Sequence, residues 1–259
     1  MSIAYEVADG IAEIRFDRPE KLNALTLAMY EQLGEAWLAA RDDPAVRVVL
    51  LSGAGERAFC VGADLHESIP ALASDQFDIS RWDPAHLKGV PFYKPIVAAV
   101  GGLCLGGGFE LLLATDIRIA SSDASFGLPE PSMGFVPAGG TLVRLQRQIG
   151  YAAAMELLLT GARFDADHLL RVGVLNRVVA PEQLDATARG IAAGIAALSA
   201  QAVQTIKESV LTLADLPADE AFAREAALGQ RTFTSDDARE GLRAFAERRA
   251  PDFRGSAGS

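Results

Sequence analysis

Three glycines in a row, Gly106-Gly107-Gly108, stand directly before Phe109-Glu110-Leu111-Leu112-Leu113-Ala114, a run with helical character. Glycine lets backbone come close to a ligand. The N–H groups of a first helical turn lack a carbonyl four residues back and carry the positive end of the helix dipole. Such a turn suits stabilisation of an oxyanion. The same glycines equally fit tight strand–helix packing, and the sequence leaves both readings open. Glu110 lies two residues past the triplet, inside the apolar run. An ionised carboxylate there is costly unless it is paired or meets water. It reads as a functional carboxylate or as a helix face turned to solvent. Glu130 stands between Pro129 and Pro131, whose rings hold φ near about −65°. A carboxylate on so restrained a backbone suits a positioned acid or base; the alternative is a surface loop acid. The third segment is Ala58-Phe59-Cys60-Val61-Gly62-Ala63-Asp64-Leu65. Just before it, Gly53-Ala54-Gly55-Glu56-Arg57-Ala58 imitates a dinucleotide-binding GxGxxA. The next residues, Phe59 to Gly62, do not open a helix, so that reading is set aside. P-loop and GxSxG signatures are absent.

Strands and helices alternate around these segments. Ile11 to Phe16 reads as a short strand, ended by Asp17-Arg18-Pro19. Thr26 caps a helix from Leu27 to about Ala40, with Leu27, Tyr30, Leu33 and Trp37 at helical spacing. Val46 to Leu51 is a nearly continuous apolar strand of the kind covered on both faces. Ile96 to Val100 and Ile117 to Ala120 are two more. The stretch from Ser68 to Val90 is irregular. It reads as a mobile loop with short helical pieces, and Phe77 and Trp82 equip it to wall a pocket. Helices are expected over Thr141–Ile149, Ala152–Leu159 and Asp165–Arg171, then a strand over Val174–Val179. Four helices come next, over Glu182–Leu198, Ala202–Leu213, Asp219–Arg231 and Asp236–Glu247, and a Gly/Ser-rich tail begins at Pro251. The pattern is an α/β core with a helical C-terminal extension.

Composition narrows the function. The 259 residues are 50% hydrophobic and 22% charged, ordinary for a globular chain. Acids outnumber bases 34 to 24, a net charge of −10, which disfavours nucleic acid as a partner. His66, His86 and His168 are scattered without metal-ligand spacing, so no metal is expected. Ile96 to Phe109, the most apolar stretch, is short and holds five glycines, which argues against a membrane span. No basic region precedes an apolar run at Met1, so no secretory signal is expected. Two cysteines, Cys60 and Cys104, make no disulfide framework, and a cytoplasmic location is expected.

Taken jointly, FCVGADL, LGGGFELLLATDIRIA and FGLPE with PAGG after it resemble the crotonase (enoyl-CoA hydratase/isomerase) family. Arg18-Pro19-Glu20-Lys21-Leu22-Asn23-Ala24-Leu25 is similar to that family's N-terminal signature, and Ala162–Val178 and Glu240–Arg249 also fit. The resemblance covers about residues 3 to 254. Val61, Gly101 and His66 depart from the usual residues.

The resemblance implies an α/β fold: a spiral of ββα units over residues 1–195, with a C-terminal helical trimerisation region over 196–259. It implies a homotrimer or a dimer of trimers. It implies that Ala63 and Gly107 supply the N–H pair of an oxyanion hole. Glu110 would deprotonate the water that attacks C3 of a 2-enoyl-CoA, and Glu130 would deliver a proton to C2. Lys21, Leu22, Ala24, Asp64 and Leu65 would meet CoA, with Phe245 and Arg248 reaching it from a neighbouring subunit. CoA enters as part of an acyl-CoA thioester substrate, so no separate cofactor is expected. Retention of both glutamates makes enoyl-CoA hydratase the first reading. Carnitinyl-CoA-type dehydration or double-bond isomerisation is the alternative, and a non-catalytic CoA-binding or scaffold role is a third.

Overall fold

The computed structural model describes residues 2–74 and 76–253; the end of the Gly/Ser-rich tail, residues 254–259, lies outside them. A hairpin opens the chain: β1 (Ser2–Ala8) and β2 (Ile11–Asp17) pair antiparallel. The sequence pattern marked only the second of these strands. Helix α1 (Leu27–Asp42) starts where expected, with the Thr26 hydroxyl accepting from Met29 N at 3.2 Å.

From there strands come in pairs, each pair split between two sheets. β3 (Val48–Gly53) is followed by β4 (Ala58–Cys60) and the short helix α2 (Ser68–Leu72). β5 (Ile96–Val100) is followed by β6 (Leu103–Leu105) and helix α3 (Gly107–Leu112). β7 (Ile117–Ser121) is followed by β8 (Ser125–Gly127) and the helices α4 (Thr141–Gln148) and α5 (Tyr151–Leu159). β3, β5 and β7 lie parallel in one sheet; β4, β6 and β8 lie parallel in the other. This is a spiral of ββα units. β9 (Arg163–Asp165) closes the small sheet against β8, and after α6 (Ala166–Arg171), β10 (Arg177–Val179) closes the large one against β7. The strand expected over Val174–Val179 is therefore confined to its last three residues: Val174 N and Leu175 N return to the Leu169 carbonyl and close the end of α6. Ala58 to Cys60 being a strand, the GxGxxA look-alike opens no helix.

Continuous apolar runs mark strands covered on both sides. In β3, Val49 and Leu51 face the main core, while Val48 and Leu50 face α7 (Leu184–Ala196). β5 divides likewise, Ile96, Ala98 and Val100 to one side and Val97 and Ala99 to the other. Ala188, Ala192 and Ala196 of α7 are small and four apart, so the helix sits close on the sheet. Three helices complete the chain: α8 (Ala200–Leu213), α9 (Ala218–Phe233) and α10 (Asp236–Glu247). They leave Ile206, Val210, Leu211, Phe222, Phe233, Leu242 and Phe245 exposed.

The irregular stretch holds α2 and a 3-10 turn, Ile79–Trp82. Trp82 is buried, stacked on Tyr30 of α1 at 4.0 Å between centroids and 10° between planes, and Phe77 meets Trp82 edge-on at 5.1 Å.

Candidate active site

The glycine triplet links β6 to α3. Gly106 has φ 50° and ψ −126°, a backbone reserved for glycine. A β-carbon on Gly108 would stand 2.2 Å from the Cys60 carbonyl oxygen. Gly106 is thus required by its backbone conformation and Gly108 by close packing of α3 on β4. Gly107 differs. A β-carbon there would lie 3.7 Å from Ala63 N, 3.3 Å from Gly62 Cα and 3.0 Å from the Tyr30 hydroxyl. Two distant segments therefore bring the backbones of Ala63 and Gly107 together. Neither N–H donates to a carbonyl among the described residues. Close packing and backbone conformation account for Gly106 and Gly108, while Gly107 keeps an N–H that no described carbonyl accepts.

Ala63 is fixed by its flanks. Leu25 N donates to Gly62 O and Asp64 N donates to Leu25 O, so the chain pairs on both sides of Ala63 and skips its N–H. Arg18 donates to Asp64 at 2.6 Å and to Ala24 O at 3.0 Å. That ion pair, with N–H groups of His66 and Glu67 also donating to Asp64, holds the Asp64 carboxyl below the usual carboxylate range. Asn23, at φ 56°, spreads its amide over the carbonyls of Ala54, Ala58 and Phe59. The N-terminal signature thus locks the turn before β4 and the loop after it.

Glu110 is 7% exposed. Its Oε2 accepts from Gly139 N at 2.6 Å and from the Thr141 hydroxyl at 3.0 Å. The alternative of a solvent-facing helix position is excluded by this burial. Burial, then the nearby Glu130 charge, raises the Glu110 carboxyl to about 7, with the two hydrogen bonds holding it back. Glu130 stands in a 3-10 turn, Glu130–Met133. It is not a surface acid: Oε2 is buried without a hydrogen-bond partner, and Oε1 would stand 2.9 Å from a β-carbon on Gly106. Burial raises its carboxyl too. The two glutamates therefore share one site beside the glycine triplet.

Further residues, which local sequence patterns did not mark for this site, complete it. Gly139 and Thr141 hold Glu110; the PAGG motif contained the first of them but gave no sign of its partner. A β-carbon on Gly139 would stand 2.5 Å from His86 Nε2 and 3.0 Å from Glu110 Cδ. His86 Nδ1 faces Trp82 O at 3.0 Å, and burial lowers the imidazole to about 4, so it is neutral. Tyr30 was legible only as a helix-spacing residue.

The expected CoA contacts are dispersed. Lys21, Leu22 and Ala24 ride the turn after β2, with Leu22 at φ 55°, beside Asp64 and the exposed Leu65. Phe245 and Arg248 lie at the far end of α10, Phe245 87% exposed. No group of His, Cys, Asp and Glu among the described residues is arranged to hold a metal ion. Cys60 and Cys104 are free and buried. No helix among these residues is long and apolar enough to cross a membrane.

A sequence model described as enoyl-CoA hydratase/isomerase matches residues 6–256. The chain is 37% identical over 256 residues to an (E)-benzylidenesuccinyl-CoA hydratase of Thauera aromatica, covering 99% of this chain and 100% of that one. It is 40% identical over 251 residues to a carnitinyl-CoA dehydratase of Proteus mirabilis, covering 95% of each. A crystal structure of enoyl-CoA hydratase from Mycobacterium tuberculosis superposes with a TM-score of 0.89 at 35% identity, over 98% of this chain and 99% of that one.

Proposed function

Since this chain belongs to the enoyl-CoA hydratase/isomerase family, we propose that it hydrates a 2-enoyl-CoA reversibly, through an enolate held by the Ala63 and Gly107 N–H groups. The observation that carries this reading is the site itself: two buried carboxyls, Glu110 and Glu130, beside two backbone N–H groups that donate to no backbone carbonyl among the described residues. A thioester oxygen accepting from both N–H groups gains negative charge as water adds to C3. Fixed donors aimed at developing charge lower the barrier. Glu110, at about 7, is matched to take a proton from water near neutral pH. Glu130 returns a proton to C2. One base and one acid require the pair to hold a single proton, on Glu130 before water adds and on Glu110 afterwards.

Run backwards, the same groups dehydrate a 3-hydroxyacyl-CoA, which is the reading favoured by the likeness to carnitinyl-CoA dehydratase. CoA arrives as part of the thioester and no redox group is drawn on. Lys21, Leu22, Ala24, Asp64 and Leu65 would hold it from this subunit. Phe245 and Arg248, at the far end of α10, would serve a neighbour's site. The exposed apolar side chains of residues 196–253 support assembly as a trimer or dimer of trimers, since so much bare apolar surface marks an interface.

The test is loss of enoyl-thioester absorbance with crotonyl-CoA and with longer, branched and aryl-substituted enoyl-CoAs, with product analysis. Hydration of at least one supports the reading; double-bond migration alone, or CoA binding without turnover, overturns it. Light scattering at assay concentration tests the assembly, and a monomer refutes it.

A further inference from the structure

One polar group at the centre of the site has no role in hydration as just described. The ring of Tyr30 is buried, 2% exposed, and clamped against Trp82 by the 4.0 Å stack. Its other neighbour is His86, 5.6 Å away between centroids. The ring is therefore fixed, and so is the direction of its hydroxyl. That hydroxyl lies 3.0 Å from the place a Gly107 β-carbon would occupy, and the same place is 3.7 Å from Ala63 N. It donates to no described residue, and it is not sealed away, as the unpartnered oxygen of Glu130 is. A buried phenol whose oxygen has no partner in the protein is a donor waiting for an acceptor. Burial and the nearby Cys60, Glu110 and Glu130 hold it neutral, with its proton in place. The polar groups around it in the protein are two carboxyls used elsewhere, a buried thiol and the neutral His86 imidazole, and it hydrogen-bonds to none of them. A thioester oxygen seated on Ala63 and Gly107 brings the missing acceptor.

We propose that the Tyr30 hydroxyl is a third hydrogen-bond donor to the thioester oxygen, joining the N–H groups of Ala63 and Gly107. This rests on the hydratase reading and deepens it. Charge developing on that oxygen meets three fixed donors rather than two. Because the hydroxyl sits on a neutral phenol, it donates without adding positive charge beside the glutamates.

Tyr30→Phe removes one oxygen and keeps the stack. Two readouts separate a donor from a merely structural ring. The first is the absorption of bound 2,4-hexadienoyl-CoA, which moves to longer wavelength as its carbonyl is polarised. The second is kcat for hydration. The expected result is a clear red shift in the wild type that is reduced in Tyr30→Phe, with kcat down about 10²-fold, the lower end for loss of one such donor. KM and affinity for a saturated acyl-CoA should change less than about threefold, since the contact strengthens only as charge develops. An unchanged shift in the variant overturns the proposal, whether or not kcat falls, because the hydroxyl then acts on something else. Unchanged kcat overturns it too. A wild type that turns over enoyl-CoAs alongside an indistinguishable Tyr30→Phe sinks this inference alone. A wild type that neither shifts the probe nor hydrates any enoyl-CoA sinks the hydratase reading and this one with it.

Discussion

Consider Glu110→Gln. In the folded protein, burial and the charge of Glu130 raise the Glu110 carboxyl from its ordinary 4.5 to about 7. An unfolded chain imposes no such rise. Below about pH 4.5 the group is protonated in both states and the difference contributes nothing. Between 4.5 and 7 the unfolded state ionises first, so stability falls as pH rises. Each pH unit in that interval is worth about 1.4 kcal/mol, and the ionised carboxylate thus destabilises the fold by about 3 kcal/mol above about pH 7. Glutamine carries no charge at any pH. Its amide oxygen can still accept from Gly139 N and the Thr141 hydroxyl, the two partners of the native Oε2. The variant should therefore be more stable than wild type by about 3 kcal/mol at about pH 8.5, several degrees in melting temperature. It should match wild type at about pH 4.5. It should also lose at least about 10²-fold in kcat for hydration, the low end for a positioned base. In the wild type, kcat/KM should fall as pH drops through about 7, when the base becomes protonated. Melting curves at both pH values, at one protein concentration, and turnover on crotonyl-CoA supply the measurements. A variant that is as active as wild type removes Glu110 from the chemistry. One that is no more stable at the higher pH refutes the burial argument.

Glu130→Gln should also lower hydration kcat by at least about 10²-fold while leaving CoA affinity nearly unchanged; normal turnover would transfer the acid role to another group. Gly107→Val should give a folded oligomer with little turnover, because the new side chain starts 3.0 Å from the Tyr30 hydroxyl and 3.3 Å from Gly62 Cα; retained activity, measured beside light scattering, would move the oxyanion site elsewhere. Arg248→Glu should raise KM for CoA thioesters more at low salt than at high salt, with kcat at saturation nearly unchanged, since it reverses a charge remote from the reacting carbons. An assembled variant with unchanged KM at low salt would take Arg248 out of CoA binding.

By itself the sequence determined what local rules encode. Thr26 and the spacing of Tyr30, Leu33 and Trp37 specified α1; apolar runs, unbroken in β5 and interrupted only by Arg47 and Arg118 in the other two, specified β3, β5 and β7 as buried strands. The glutamates and the glycine triplet were legible because chemistry needs those residue types, and the resemblance across the chain supplied their roles. The second sheet was not legible. β4, β6, β8 and β9 are three residues each, too short to carry a period, and each exists only because a partner strand from elsewhere in the chain satisfies its backbone. The surroundings of Glu110 were likewise decided by the tertiary structure: its hydrogen-bond donors lie 29 and 31 residues away, and its raised carboxyl comes from burial and from Glu130, neither of which is a local property. Tyr30 shows the division most plainly. Helical spacing assigned it to a core face, which is where its ring lies. Only the folding of α1 against the Ala63 and Gly107 segments puts its hydroxyl beside them, because contact between residues 30, 63 and 107 depends on how α1, β4 and α3 stack.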